Sequence, residues 1–435
     1  MDRLLGPDPA ADRFLAPRGA SSRGLWRTVA VTAATAAALA VVGTTIVLRS
    51  TPLGAGGDPS SAGGAAAVRS SSPRTVTGHD IDCTDGGYTK STLKLVTEEP
   101  VVRLISERSP DGSGAAVPIG KFEASDVAGV AGGSHVFVVF DNSFKIGHFA
   151  SGLTYVTPDG EAETNKLLSW PDDDGSDSQF EALTYNATSG TYIVIQESVV
   201  NGSGSMVPRI MEVSLGADAA TVHSTCDGAF TFASENKGFE GAAIATAADG
   251  TSYLLALCEG NYCAGGKAGR KPGHGRIIVM AREATAGGGC VWVPRQTVAI
   301  PKSAYFMDYS AISIFNNSRV AVSSQENAAV WIGELELLDG SHLTPDHDHR
   351  VHGSHRRSGE ATGDYERALF GLSDGKVYDF PRNDACQRIY CTIEGIHWQE
   401  ADKLVAVSDK MKSGGKQPFM CMTHDQSIHT FLIPA

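Results

Sequence analysis

Five stretches of the chain share one pattern: an acidic residue, an apolar strand, a turn, a second apolar strand and a closing acidic residue. The opening acids are Asp126, Glu181, Glu240, Asp308 and Glu394, and the closing acids are Asp141, Glu197, Glu259, Glu326 and Asp409. Successive opening acids stand 55, 59, 68 and 86 residues apart, which leaves room for two further strands in each unit. A four-stranded unit repeated around a ring is typical of a β-propeller. The sequence therefore predicts an all-β propeller, with a long irregular β-sandwich as the alternative.

The number of blades depends on the two ends of this region. Residues 88–108 and the tail 427–434 contain further apolar strand segments, which we expect to close the ring. With these segments included, six blades are favoured and five are the alternative. The composition agrees with a fold of short strands and turns, because aromatic residues make up only 7% of the chain and 49 positions are glycine.

Hairpin geometry predicts where the opening acids lie. The residue before the first strand of a hairpin and the residue after the second lie at the same end, opposite the turn. If the hairpins hold the innermost strands, then Asp126, Glu181, Glu240, Asp308 and Glu394 converge on the central channel at one face. Crowded carboxylates repel, so they need a cation, a basic partner or raised pKa values. Oxygen ligands suit Ca²⁺ or Mg²⁺ better than Zn²⁺, and we predict a calcium site. The alternative is that the acids only cap turns and solvate strand ends.

One segment matches the motif of a known family. The pentapeptide 394–398, EGIHW, continued by QEADKLVAVSD, resembles the E-G-P-x-W signature of the gluconolactonase and strictosidine-synthase-like six-bladed propellers. Glu240-Gly241 and Glu181-Ala182 look like weaker copies, and the repeated form is similar to phytase-like propellers. The resemblance implies that Glu394 binds a divalent metal, usually calcium, and that the activity is hydrolysis of a lactone, an ester or a phosphate ester. Ile396 stands where the family has proline.

Two classes of function remain open. The first is a metal-dependent hydrolase of a small ester or phosphate ester, whose general base is sought among Glu197, Glu259 and Glu326. The second is a non-catalytic propeller that binds a ligand or a protein partner on its acidic face. The chain contains no G-x-S-x-G, H-E-x-x-H or P-loop motif. Its formal net charge of -13 excludes a general nucleic-acid-binding role.

The N-terminal part predicts a membrane anchor. Residues 28–48 are apolar and uncharged, and at about 20 residues such a segment spans a bilayer. Because arginines are concentrated before this segment, residues 1–27 are expected in the cytosol. Residues 49–75, rich in Gly, Ser, Ala and Pro, predict a flexible linker to a lumenal or extracellular domain at 76–435. We expect a single-pass protein of the secretory pathway or cell surface, with a cleaved signal peptide as the alternative.

Cysteines and sequons agree with that compartment. All eight cysteines follow the apolar segment, and their even number predicts disulfide bonds. Cys258 with Cys263 and Cys386 with Cys391 are spaced to close local loops, and the other pairings remain open. We also predict a glycoprotein, because sequons begin at Asn186, Asn201 and Asn316.

Two charged clusters lie outside the repeats. Residues 347–355, HDHRVHGSH, have the composition of a transition-metal or acid-sensing segment, or of a solvated insertion in the longest gap between repeats. Lys267, Arg270 and Lys271 form a small basic loop, for which a solvated surface is the simplest interpretation.

Overall fold

The computed structural model describes residues 91–106, 122–153, 165–171, 173–233, 237–339, 368–411 and 419–435. The predicted cytosolic tail, membrane segment 28–48, linker 49–75 and His-rich segment 347–355 lie outside the described residues. Within those ranges, no helix has the length and apolar character needed to cross a bilayer.

The described residues form an all-β, propeller-like fold of successive antiparallel sheets. The first strand, β1 (Lys94–Pro100), is followed by the short helix α1 (Val101–Ser106). Blade 1 contains β2 (Ala124–Gly129), β3 (His135–Phe140), β4 (Ser143–Ala150) and β5 (Lys166–Leu168). Blade 2 contains β6 (Phe180–Asn186), β7 (Thr191–Val200), β8 (Met206–Leu215) and β9 (Ala220–Gly228). Blade 3 contains β10 (Phe239–Thr246), β11 (Ser252–Cys258), β12 (Arg276–Ala284) and β13 (Cys290–Ala299).

Blades 4 and 5 complete the ring. Blade 4 contains β14 (Ala311–Phe315), β15 (Arg319–Ser324) and β16 (Ala329–Leu337), and both β17 (Phe370–Leu372) and β18 (Lys376–Asp379) pair with β16. Blade 5 contains β19 (Ile393–Glu400), β20 (Lys403–Ser408), β21 (Ser427–Leu432) and β1. Short helical turns occupy Asn261–Cys263, α2 (Gly266–Gly269) and Phe419–Thr423.

The ring closes with five blades. The innermost strands β2, β6, β10, β14 and β19 each contact the next, and β19 contacts β2. This corrects the favoured number of six. The physical reason is that β1 does not begin a separate blade but pairs antiparallel with β21, from Lys94 opposite Leu432 to Pro100 opposite Ser427. The two end segments, which contain β1 and β21, do close the ring as predicted, but they do so within one blade.

The core is divided among the five interfaces between neighbouring blades. Strand β7 shows how the sequence builds these interfaces. Tyr192 and Val194 pack toward blade 1, whereas Ile193 and Ile195 pack toward blade 3. Both faces of such a strand are buried, so its residues read as a continuous apolar run. Burial of these side chains on both faces is the main favourable contribution to the fold.

Disulfides join elements within and between blades. Cys258 pairs with Cys263, which confirms the predicted local loop. Cys391 pairs with Cys421 and not with Cys386, so the second predicted local loop is wrong. Cys226 of β9 pairs with Cys290 of β13. That bond lies where β13 and β9 pair in parallel and join blades 2 and 3 into one sheet of eight strands.

Candidate functional site

Four of the five innermost strands carry a β-bulge near their start. The bulged residues are Ser125, Glu181, Glu240 and Glu394, because the pairing register skips each of them. In blade 4 the corresponding position is Ser310, one residue before Ala311. We call these positions the glutamate level, and it comprises Ser125, Glu181, Glu240, Ser310 and Glu394. The predicted convergence of five acids is thus corrected to three, since Asp126 lies one residue after this level and Asp308 two residues before it.

The residue after each bulged glutamate is small because neighbouring strands approach closely there. A Cβ atom on Gly395 would lie 2.6 Å from the Cα of Asp126 and 2.8 Å from the backbone nitrogen of Val127. A Cβ atom on Gly241 would lie 2.7 Å from the backbone nitrogen of Ile312. The Glu-Gly pairs noticed in the sequence therefore reflect packing at the channel. The same close packing crowds the glutamates.

Glu181 shows the electrostatic consequence of this crowding. Burial raises the pKa of Glu181 well above its usual value, and the negative charges of Glu240 and Glu394 raise it further. The closing acids Glu197 and Asp141 contribute in the same direction. A site that crowds carboxylates in this way holds a proton or a cation at neutral pH.

Asp126 has a different environment from the three glutamates. One carboxylate oxygen accepts a hydrogen bond from the backbone nitrogen of Val127, and the other accepts one from Leu183 in the next blade, each at 2.8 Å. Burial raises the pKa of Asp126, although these hydrogen bonds lower it in part. The carboxylate of Asp126 thus links β2 to β6 by accepting a backbone hydrogen bond from Leu183.

Asp308 lies outside the glutamate level and is also held by hydrogen bonds. Its carboxylate accepts the hydroxyl of Ser324 and the backbone N–H of Glu326, the latter at 3.2 Å. Burial raises the pKa of Asp308 to about 7, against the lowering effect of the Ser324 hydrogen bond. The charges of Glu326 and Glu259 raise the pKa further. A carboxyl group with this pKa changes its charge within the physiological range.

Cations compensate part of the acidic face. Lys237 forms an ion pair with Glu259, and Arg270 pairs with Glu326 at 2.8 Å. Glu259 and Glu326 were two of the three candidate general bases. Each ion pair occupies a carboxylate that a general base would need free. The third candidate, Glu197, contributes to the negative field at Glu181.

The glutamate level matches calcium in ligand chemistry but not in the placement of its side chains. Three carboxylates supply the hard oxygen ligands that Ca²⁺ prefers. Across the ranges that the structure describes, however, no three His, Cys, Asp or Glu side chains are placed to hold one ion together. The residues therefore fit a calcium ion in ligand type, while the side-chain positions do not form a complete cage.

The channel widens beyond the glutamate level, toward the turns that end the innermost strands. A cavity of about 400 Å³ lies there, bounded by all five innermost strands and containing His397. Burial lowers the pKa of His397 to about 4, and its Nε2 has no hydrogen-bond partner among the described residues. Asn316 also borders this cavity, and Asn186 closes strand β6 at the same end of the ring. These two predicted glycan sites thus lie away from the acidic face; Asn201 lies just after β7, beyond Val200.

One polar cluster was missed by sequence reasoning. Ser408 Oγ lies 3.0 Å from His429 Nε2, and His429 Nδ1 lies 3.0 Å from Glu98 Oε2. The order of groups is that of a catalytic triad, but Ser408 is only 1% exposed and His429 is 0% exposed. His424 Nδ1 also contacts Glu98 at 2.9 Å. The cluster joins β1 to β21 and therefore closes the ring; residues so far apart in sequence give no local motif.

Comparisons with known proteins give no family. No family model and no curated protein matches the chain. Among solved structures, the chain is similar to a GH43_1 enzyme from Xanthomonas citri, with 10% identity and a TM-score of 0.35 over 78% of this chain and 90% of that one. It is also similar to a luciferin-regenerating enzyme, with 7% identity and a TM-score of 0.32 over 72% of this chain and 92% of that one. For virginiamycin B lyase from Staphylococcus aureus the identity is 11% and the TM-score 0.27, over 73% of this chain and 68% of that one. These scores are too low to support an argument about function, so the fold assignment rests on the sheets described above.

Proposed function

We propose that this protein is a cation-dependent binding propeller, in which the glutamate level takes up a divalent cation, calcium favoured, and the acidic face receives a ligand or protein partner. The observation that carries the proposal is the crowding of Glu181, Glu240 and Glu394, which raises the pKa of Glu181. The carboxylates of Glu181, Glu240 and Glu394 would hold the ion through the hard oxygen ligands that Ca²⁺ prefers.

Calorimetry on the full-length protein tests the proposal. Titration with Ca²⁺ is expected to give a saturable binding isotherm, and the Glu240→Gln/Glu394→Gln variant is expected to bind at least about tenfold more weakly. Glu336→Gln is the matched control, because Glu336 is an exposed residue of β16 away from the channel. The proposal fails if the double variant binds calcium as tightly as the wild type, or if the wild type binds none.

Hydrolysis of a small lactone, ester or phosphate ester is the second candidate function, in line with the resemblance to lactonase-type and phytase-like propellers. The observation that favours it is Asp308, whose pKa is raised to about 7, the range expected of a general base. Turnover of such substrates that is lost in Asp308→Asn, with cation binding retained, would support hydrolysis. Binding of the cation with no turnover of any of the three substrate classes would leave the binding function alone.

We further propose that residues 28–48 anchor the protein in a membrane, with the propeller on the lumenal or extracellular side. The disulfides Cys226–Cys290, Cys258–Cys263 and Cys391–Cys421 support an oxidising compartment. The full-length protein is expected to stay with membranes in alkaline carbonate, and its extraction by carbonate would contradict the anchor.

Glycosidase treatment tests the lumenal or extracellular side. It is expected to shift the electrophoretic mobility of the wild type, but not that of a variant lacking Asn186, Asn201 and Asn316.

A further inference from the structure

We propose a second binding site, in a cleft between blades 3 and 4, for small organic anions that carry an apolar body. The cleft has a volume of about 460 Å³. Its lining combines the basic residues His274, Arg276 and Lys302 with the apolar residues Ile300, Pro301 and Leu372. The site is separate from the glutamate level, since its residues come from the outer strands β12, β13 and β17 and the loops next to them.

The first observation is a local excess of positive charge. Neither Arg276 nor Lys302 forms an ion pair with any carboxylate in the described part of the chain. The one carboxylate of the lining, Asp374, accepts the hydroxyl of Ser303 and, at 3.0 Å, its neighbour's N–H at Gly375. The lining thus has two permanent cations against one carboxylate and keeps a net positive charge, in a chain whose net charge is -13. Such a site concentrates anions.

The second observation is that the loop behind the cleft is rigidly built. The Arg276 guanidinium lies 5.3 Å from the centre of the Tyr262 ring and donates a hydrogen bond to the carbonyl of Gly275 at 3.0 Å. The imidazole of His274 stacks on Tyr262 at 4.2 Å, with an interplanar angle of 20°. Cation–π contact and stacking hold these side chains in place before a ligand arrives.

Asn261 and a disulfide fix the backbone of this loop. Asn261 is 0% exposed, its side-chain nitrogen donates to the carbonyls of Gly269 and Met307 at 3.0 Å each, and its side-chain oxygen accepts the N–H of His274 at 2.7 Å. The Cys258–Cys263 disulfide closes the adjoining turn. Tyr262 has a φ of 59°, a conformation that a non-glycine residue keeps only where its surroundings enforce it. The loop is therefore a preorganised platform for the cationic groups.

The third observation concerns the size and polarity of the cleft. Ile300 is buried, while Pro301 and Leu372 are half-buried and offer apolar surface beside the cations. A volume of about 460 Å³ is that of a pocket for a small organic molecule and exceeds the needs of an inorganic ion. The ligand class that matches is an organic carboxylate, sulfate or phosphate with an apolar portion.

Binding of 8-anilinonaphthalene-1-sulfonate, a fluorescent aromatic sulfonate, to the folded full-length protein tests the proposal. The Arg276→Gln/Lys302→Gln variant is expected to bind the dye roughly tenfold more weakly than the wild type. Lys267→Gln is the matched control, because Lys267 is an exposed cation of the same loop that does not line the cleft. If the double variant does not fold, Lys302→Gln alone, at an exposed position, is expected to weaken binding about threefold.

Three comparisons distinguish binding at this site from binding elsewhere on the protein. The uncharged dye N-phenyl-1-naphthylamine is expected to bind the wild type and the variants equally weakly, and Glu240→Gln/Glu394→Gln is expected to leave the sulfonate affinity unchanged. Phenyl phosphate is expected to displace the sulfonate dye at lower concentration than benzyl alcohol does. Equal dye affinity in wild type and both cleft variants, or equal displacement by the charged and uncharged competitors, would overturn the proposal.

Discussion

At the residue scale, the carboxylates that are proposed to bind a cation also affect the stability of the fold. Burial and neighbouring charge raise the pKa of Glu181, so the folded protein binds a proton there more tightly than the unfolded chain does. The contribution of that proton to the free energy of unfolding is fully present below the unfolded pKa of 4.5. It is lost as pH rises through the raised pKa of the folded state. At neutral pH without a cation, Glu181 must therefore either take up a proton or stay ionised beside like charges, and both lower the stability of the fold.

Glu181→Gln is predicted to stabilise the protein in EDTA at pH 7.5. The expected gain in the free energy of unfolding is about 1 kcal/mol, because at pH 7.5 the wild-type carboxyl must either take up a proton or be buried ionised, and glutamine requires neither. The gain should shrink toward pH 4, where the carboxyl of the unfolded chain is largely protonated as well. Urea unfolding at both pH values measures it, with Glu336→Gln as the control. A variant less stable than the wild type at pH 7.5 would show that Glu181 is not repelled.

His397 has the opposite pH dependence. Its pKa is lowered from 6.5 to about 4 by burial, so its contribution to stability is present above pH 6.5 and is lost as pH falls toward 4. That shift corresponds to at most about 3 kcal/mol. The slope of unfolding free energy against pH between 6.5 and 4 should be smaller in His397→Gln than in the wild type. Equal slopes in the two proteins would contradict the buried, neutral imidazole.

At the scale of elements, close packing of the innermost strands is the requirement that produces the Glu-Gly motif. Gly395→Ala is predicted to destabilise the protein by about 1–3 kcal/mol, because the new Cβ would press on the backbone of β2. Gly202→Ala is the control, since a Cβ there meets no atom within 4 Å. Denaturant unfolding measures both. A Gly395→Ala variant as stable as the Gly202→Ala control would mean that β19 and β2 are not in close contact.

Ring closure depends on the pairing of β1 with β21 and on one carboxylate. Glu98 accepts hydrogen bonds from His424 and His429, which lower its pKa although burial acts in the other direction. Glu98→Ala is predicted to cost about 2–4 kcal/mol, because it leaves Nδ1 of the fully buried His429 without its carboxylate partner. Glu99→Ala is the control, because Glu99 is a neighbouring carboxylate of similar exposure that pairs with Arg103 at 3.1 Å. Its loss should cost less than about 1 kcal/mol. Equal costs in thermal unfolding would contradict this closure.

The elements also show what the sequence can and cannot predict. The hairpins were predictable, because their apolar runs and turns are local features. Which acids lie at the same level of the channel was not predictable. That level depends on the bulges at Glu181 and Glu394, and a bulge is a property of the pairing register between two strands, not of one strand's sequence. Cys391 pairs with Cys421 across 30 residues and not with its near neighbour, since tertiary packing decides which cysteines meet. The number of blades depended on β1, whose partner strand lies at the other end of the chain.

At the scale of the whole molecule, two sites of opposite charge lie in different parts of one propeller. The acidic channel faces the axis, where the innermost strands crowd Glu181, Glu240 and Glu394. The basic cleft lies between outer strands of blades 3 and 4, behind a loop fixed by Asn261. Because the net charge of -13 gives no sign of the cleft, this site was not predictable from composition. The acidic site was partly predictable, since its glutamates recur with the repeat.

Anomalous diffraction from crystals of the full-length protein grown with Tb³⁺, a strongly scattering substitute for calcium, tests the central claim most directly. The account predicts a five-bladed ring with an anomalous peak on the channel axis beside Glu181, Glu240 and Glu394. The peak should vanish in Glu240→Gln/Glu394→Gln crystals. A five-bladed ring without density at that level, with the lanthanide bound elsewhere or not at all, would contradict the claim that the channel is a cation site.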